Sequence, residues 1–170
     1  GIFAWDPNEL IDLTISGDGS LPVTGGGTVS ESYGICTDNL IVQSGTVNAT
    51  GEDGEEDSYG IYAYNDVTIS GGAVTATGGT VNATSEDGEE DSYGIYADND
   101  LTISGGAVNA TGGDSEEDSY GISAYDVTIS GGDVTATGGT VTATSEDGEE
   151  DSYGIYADYV TIFGGAVNAT

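Results

Sequence analysis

Lysine, arginine, histidine and methionine are missing from all 170 residues, while aspartate and glutamate number 31, giving a formal charge of −31. No carboxylate therefore has a cationic side chain as its partner. Nucleic acids and anionic membrane surfaces are excluded as partners, because both are bound through cationic side chains. With no histidine or lysine, the serines and the single cysteine have no base to activate them, so nucleophilic catalysis is not expected. One cysteine, Cys36, cannot form an internal disulfide. Cys36 stands where other copies of its motif carry Tyr or Ser, which marks it as incidental. No apolar run approaches membrane-spanning length, and none reads as a secretory leader. The lack of methionine suits a processed or excised segment, and the lack of tryptic sites suits an extracellular surface. Large apolar residues are scarce too, with two Phe and one Trp against 30 Gly, which argues against a helical globule.

What is present is repetition. SEDGEEDSYGIYA stands at 85–97 and again, unchanged, at 145–157, and a third copy at 51–63 differs only in its first residue. Tyr-Gly-Ile begins at Tyr33, Tyr59, Tyr93, Tyr120 and Tyr153, at spacings of 26, 34, 27 and 33, so alternate copies lie about 60 residues apart. A second apolar segment follows each one: NLIVQ at 39–43, DVTIS at 66–70, DLTIS at 100–104, DVTIS at 126–130 and YVTIF at 159–163. An AVTAT or AVNAT segment comes next, and the longer units add a piece such as GGTVNAT at 78–84, expected as a fourth strand.

Each piece alternates with period two. Val and Ile of DVTIS face one way and Thr and Ser the other, while Val and the second Ala of AVTAT face inward. Gly-Gly pairs and acidic loops fall where corners are needed. Short strands, tight corners and a repeat of 26–34 residues without helices predict a parallel β-solenoid, or β-helix, of five to six rungs with alternating short and long turns. A β-propeller is the competing reading, but its hairpins call for turn dipeptides such as Asn-Gly, which are absent. Residues 1–27 hold the only Trp and both Pro and are expected to supply an N-terminal cap and first strand, with 28–170 forming the repeats. By alternation, the tyrosines of Tyr-Gly-Ile face inward or cap a corner.

The stretch GIYADNDLTISGGAVNATGG resembles the repeat of bacterial cell-surface carbohydrate-binding right-handed β-helix proteins, which are polysaccharide-lyase-like and calcium-containing. The resemblance spans about residues 32–170 and implies polysaccharide binding at a cell surface. In place of the Gly-Asp-Gly-Ile corner frequent in that family, this chain has Asp-Ser-Tyr-Gly-Ile.

Rung-on-rung stacking would bring like charges together. Two carboxylates about 5 Å apart repel by roughly 3 kcal/mol at an effective dielectric of 20. The loops can splay, take up protons or share divalent cations, and all-oxygen ligands favour Ca²⁺. The expected ligands are Asp57, Asp91, Asp118 and Asp151, each beside a strand, with Glu56, Glu90, Glu117 and Glu150. The alternative is a solvated acidic face, since the blocks match no EF-hand or calcium nonapeptide pattern.

Tyr62, Tyr96 and Tyr156 are candidates for an outward aromatic strip on which sugar rings stack, or for a ladder packed on itself. Asn48, Asn82, Asn109 and Asn168 each open Asn-Ala-Thr, a glycosylation acceptor, and are expected in one outward register. These asparagines also interrupt the Thr-x-Thr pairs that would otherwise resemble an ice-binding array. The expectation is a non-catalytic, extracellular, calcium-stabilised solenoid that binds polysaccharide as part of a larger surface protein. The alternative is a filament subunit that assembles with itself head to tail through an uncapped end.

Overall fold

The computed structural model describes residues 1–4, 11–26, 31–82, 90–142 and 151–170. Its secondary structure consists of strands, all paired in parallel. Three are contributed before residue 27: β1 (Ile2–Ala4), β2 (Asp12–Ile15) and β3 (Ser20–Thr24). The next turns are β4 (Ser32–Thr37), β5 (Asn39–Val42) and β6 (Thr46–Thr50), then β7 (Ser58–Ala63), β8 (Val67–Ile69) and β9 (Ala73–Thr77). In later turns the first two segments fuse, giving β10 (Ser92–Ile103) with β11 (Ala107–Thr111), β12 (Ser119–Ile129) with β13 (Asp133–Thr137), and β14 (Ser152–Ile162) with β15 (Ala166–Ala169).

Each turn thus lays its first segments on a nine-stranded sheet and its last on a six-stranded sheet of order β15-β13-β11-β9-β6-β3. This is the parallel solenoid expected from the repeat, with six rungs. Like lies on like: Ile35, Ile61, Ile95, Ile122 and Ile155 are register partners, and so are Val47, Val74, Val108, Val134 and Val167. The described part of 1–27 is built into the stack as a rung, since Ile2 pairs with Ile35, Leu13 with Leu40 and Leu21 with Val47.

The core is a column of small aliphatics between the two sheets. Ile61, Val67, Ile69, Val74 and Ala76 are fully buried in one rung and Ile95, Leu101, Ile103, Val108 and Ala110 in the next. Stacked β-branched residues suit this interior because a pleated surface holds their rotamers at little entropic cost.

Glycines set the corners. In the Gly-Gly pairs that follow the DVTIS and DLTIS segments, the second Gly has positive φ, 84° at Gly72, 88° at Gly106 and 89° at Gly132. A Cβ on Gly106 would also lie 2.6 Å from the Gly72 carbonyl oxygen of the rung before. The glycine of Tyr-Gly-Ile is required for another reason: a Cβ on Gly94 would meet Thr111 N and the Gly121 oxygen, both at 2.5 Å.

One expectation changes and one choice is resolved. Among the described residues the fourth strand is reduced to single parallel bridges, Gly54 to Val81 and Ser115 to Val141. The five tyrosines of Tyr-Gly-Ile do not join the aliphatic core. Tyr59, Tyr93 and Tyr120 form a separate buried cluster, so of the two placements alternation allowed, the corner is the one observed.

Candidate functional site

The block Asp-Ser-Tyr-Gly-Ile occurs at 57–61, 91–95, 118–122 and 151–155, and each of its residues has a separate task. Ile fills the core and Gly admits the neighbouring backbone. Ser clamps the adjoining loops. Ser92 Oγ accepts from Gly113 N at 2.8 Å and donates to the Gly79 oxygen at 2.8 Å, and Ser119 Oγ does the same with Gly139 N and the Gly113 oxygen, both at 2.7 Å. Ser58 Oγ accepts from Gly79 N at 2.8 Å and donates to the Glu52 oxygen at 3.0 Å. Buried hydroxyls with both capacities used are a low-cost way to hold irregular backbone at the core margin.

Aspartate links the rungs. Asp57 Oδ1 accepts from the backbone N–H of Asp91 at 3.0 Å, Asp91 Oδ1 from that of Asp118 at 3.1 Å, and Asp118 Oδ1 from that of Asp151 at 2.8 Å. An amide dipole is thereby inserted between successive carboxylates, which offsets part of their repulsion. The other oxygen accepts from tyrosine: Tyr59 Oη donates to Asp57 Oδ2 at 2.6 Å, Tyr93 Oη to Asp91 Oδ2 at 2.5 Å, and Tyr120 Oη to Asp118 Oδ2. Burial, set against the Tyr93 hydrogen bond, pushes the Asp91 carboxyl up to about 6. Desolvation first, and then the facing carboxylates, push the Tyr59 and Tyr93 phenols far above their ordinary range, so they remain protonated donors.

The four aspartates expected as calcium ligands therefore form a column, not a cage, with both oxygens of Asp57, Asp91 and Asp118 committed to protein donors. Glu56 and Glu117 are exposed, Glu90 is buried, and Glu150 lies outside the described residues. Among the described residues, no group of three or more acids, cysteines or histidines is gathered as a metal site.

Tyr62 and Tyr96 stack on each other, with centroids 5.1 Å apart at 11°, and Tyr59 and Tyr93 meet them edge-on. Ser123 interrupts their register, and Tyr156 stands apart beyond it, 50% exposed. The strip is thus split, and Tyr62 and Tyr96 each give one face to the other. A second pair, Tyr125 and Tyr159, is open to solvent with rings edge-on at 5.7 Å.

Asn48, Asn109 and Asn168 lie on the outer face of the six-stranded sheet in one register, alternating with Thr75 and Thr135. Asn82 is not in that row. It follows the Val81 bridge, and its backbone N–H donates to the Gly54 oxygen at 3.0 Å. Beside the row runs an unbroken column of Thr24, Thr50, Thr77, Thr111 and Thr137. Asn48, Thr75, Asn109, Thr135 and Asn168 have no side-chain hydrogen-bond partner among the described residues.

A family model described as a beta helix repeat matches residues 67–95, 101–124 and 127–155. The chain is a parallel β-helix. The matched stretches run from the second segment of one turn to the Tyr-Gly-Ile region of the next, so the family pattern and the structural rung coincide. No curated protein and no solved structure gives a significant match to this β-helix.

Sequence reasoning missed the serine clamps and the aspartate-to-amide links, which join residues 6 to 34 positions apart. The one available signal was that Asp and Ser precede Tyr in every acidic copy. Cys36 is fully buried, and burial pushes its thiol up to about 12. It is expected to resist thiol reagents in the folded protein and to be labelled rapidly in denaturant, as a timed labelling assay would show.

Proposed function

We propose that this β-helix is a non-catalytic, extracellular surface module that binds a neutral polysaccharide along the outer face of its six-stranded sheet. The observation that carries this reading is the row of Asn and Thr side chains with unused hydrogen-bonding capacity, on a face where Asp133 is the one acid among the outward strand residues. On a chain of charge −31, an uncharged face of amides and hydroxyls suits a neutral chain of hydroxyl groups. Rungs recur about every 4.8 Å, near the advance of one pyranose along an extended β-1,4 chain. Calcium enters as a counterion to exposed loop carboxylates such as Glu56 and Glu117, raising the melting temperature without an ordered cage.

Affinity electrophoresis in gels containing hydroxyethyl cellulose, a neutral glycan, with anionic pectin as the contrast that should not retard the protein, tests the reading. The parent is expected to be retarded, and Asn109→Asp with Thr135→Glu is expected to weaken binding about tenfold, or 1.4 kcal/mol. Tyr62→Ala is expected to leave retardation nearly unchanged. No retardation in any neutral glycan gel would overturn the proposal. For calcium, the expected result is a melting temperature that rises with added Ca²⁺ and falls again with chelator; an unchanged value removes the ion from the account.

A further inference from the structure

Tyr33, Tyr59, Tyr93, Tyr120 and Tyr153 occupy one register, a single ring on each of five successive rungs. Their rings stack face to face with centroid separations of 5.2, 4.9, 5.3 and 6.1 Å and interplanar angles of 8°, 2°, 24° and 14°. Four phenols donate to a carboxylate two residues earlier, Tyr33 to Glu31, Tyr59 to Asp57, Tyr93 to Asp91 and Tyr120 to Asp118, and Asp151 holds the same place before Tyr153. The three middle rings are 6–8% exposed, whereas Tyr153 is 41% exposed and Tyr33 is half-buried. The middle of the column is shielded from solvent.

We propose that this column conducts oxidising equivalents along the solenoid axis, from a one-electron oxidant at one end to the tyrosine at the other. Removing an electron from a phenol makes its proton strongly acidic, and here that proton has an acceptor already in place. In the first step the oxidant gains one electron, the Tyr O–H bond breaks, and the proton passes to the hydrogen-bonded Asp, giving a neutral tyrosyl radical beside a carboxylic acid. In each transfer the next tyrosine yields one electron to the radical and its proton to its own aspartate. The first tyrosine meanwhile takes its proton back. Charge therefore never accumulates on a ring, and no proton travels between rungs. Burial of the middle rings keeps solvent and reductants from the migrating radical.

Two features favour this over a purely mechanical ladder. A packing role asks for rings, which Phe would supply, yet each copy keeps the hydroxyl and places a carboxylate against it. The phenols are held far above their ordinary range, so they present an O–H at any pH the protein meets, and the raised Asp91 carboxyl is a better base toward an oxidised phenol than an ordinary aspartate.

The test tethers a ruthenium polypyridyl photo-oxidant to Tyr156→Cys, in a Cys36→Ser background. Tyr156 lies 5.1 Å from the Tyr120 ring and 5.9 Å from that of Tyr153. After a flash with a sacrificial electron acceptor, radicals are captured by a spin trap. The adducts are mapped by mass spectrometry after cleavage with a glutamate-specific protease, since the chain has no tryptic site. Adducts at Tyr33 in the parent are expected to fall to the dark-control level in Tyr93→Phe, with Tyr120 still labelled, and to decline in Asp91→Asn. Circular dichroism and melting confirm that both variants are folded. Equal labelling of Tyr33 with and without the Tyr93 hydroxyl, or no labelling of Tyr33 in the parent while Tyr120 is labelled, overturns the proposal.

Discussion

Replacing Gly106 with alanine should cost about 4 kcal/mol of stability and abolish sharp two-state melting in this stack. Two mechanisms add. A φ of 88° is costly for any L-residue with a Cβ, at about 1–2 kcal/mol. The new methyl would also lie 2.6 Å from the Gly72 oxygen and 2.9 Å from Gly71 C, both backbone atoms that cannot swing aside. Relief requires the two rungs to separate at that corner, which weakens the hydrogen bond from Ala107 N to the Gly72 oxygen, 2.9 Å long in the native stack. In a solenoid each rung is supported only by its neighbours, so a break in the middle divides the array. Gly26→Ala is the control. No heavy atom lies within 4 Å of a Cβ placed there, and urea melts of the two variants should differ by most of the full effect.

The second large effect is on pH. Most proteins lose stability on acidification because their paired carboxylates must take up protons. This one should gain. Asp91 has its carboxyl raised from 3.8 to about 6, chiefly by burial, with Asp57 and Asp118 facing it along the column and Tyr93 donating to it. The folded state therefore binds more protons than the unfolded chain between about pH 4 and pH 6, and stability falls as pH rises through that window. The contribution is fully present below about pH 4 and lost above about pH 6. Discounted for partial exposure, it amounts to about 1–2 kcal/mol. Asp98, raised by burial against the Tyr96 hydrogen bond, acts in the same direction. Relief of repulsion within a chain of charge −31 adds to both. Chemical melts at pH 5 and pH 7.5 should show the higher midpoint at pH 5, and Asp91→Asn should shrink the difference. A lower midpoint at pH 5 would contradict this account of the column.

The fold was legible because its determinants are local. Alternation in DVTIS and AVTAT assigns the inner face, the invariant Ile after Tyr-Gly marks the core, and the Gly-Gly pairs after the DVTIS-type segments mark corners. All three appear in the structure. The side taken by the tyrosines was not legible, because strict alternation would put Tyr59 on the side of Ile61, whereas its ring packs with Tyr62 and Tyr93 apart from the aliphatic core. Nor was the tie from an aspartate to the next rung's amide, since both ends of that bond lie in identical motifs and nothing local distinguishes them. Asn82 shows the opposite failure. It shares Asn-Ala-Thr with Asn48, Asn109 and Asn168, yet it lies beside the Gly54–Val81 bridge and not in the six-stranded sheet. In the first rung DLTIS at 12–16 was legible as the start of the series, but the opening segment was not, because IFA at 2–4 bears little likeness to the ICT at 35–37 on which it pairs.

Both the glycan face and the tyrosine column require successive turns to lie in register along one axis. The most direct test is the distance between spin labels at Asn48→Cys and Asn168→Cys in the Cys36→Ser background, read by double electron–electron resonance. These residues are linked by four register steps, from Asn48 through Thr75, Asn109 and Thr135 to Asn168. At about 4.8 Å per step, the Cα atoms should stand about 19 Å apart. A single narrow distribution near that value, widened only by the label arms, is the expected result. A maximum well beyond about 30 Å, or several separate maxima, would mean that the rungs are not stacked in parallel register.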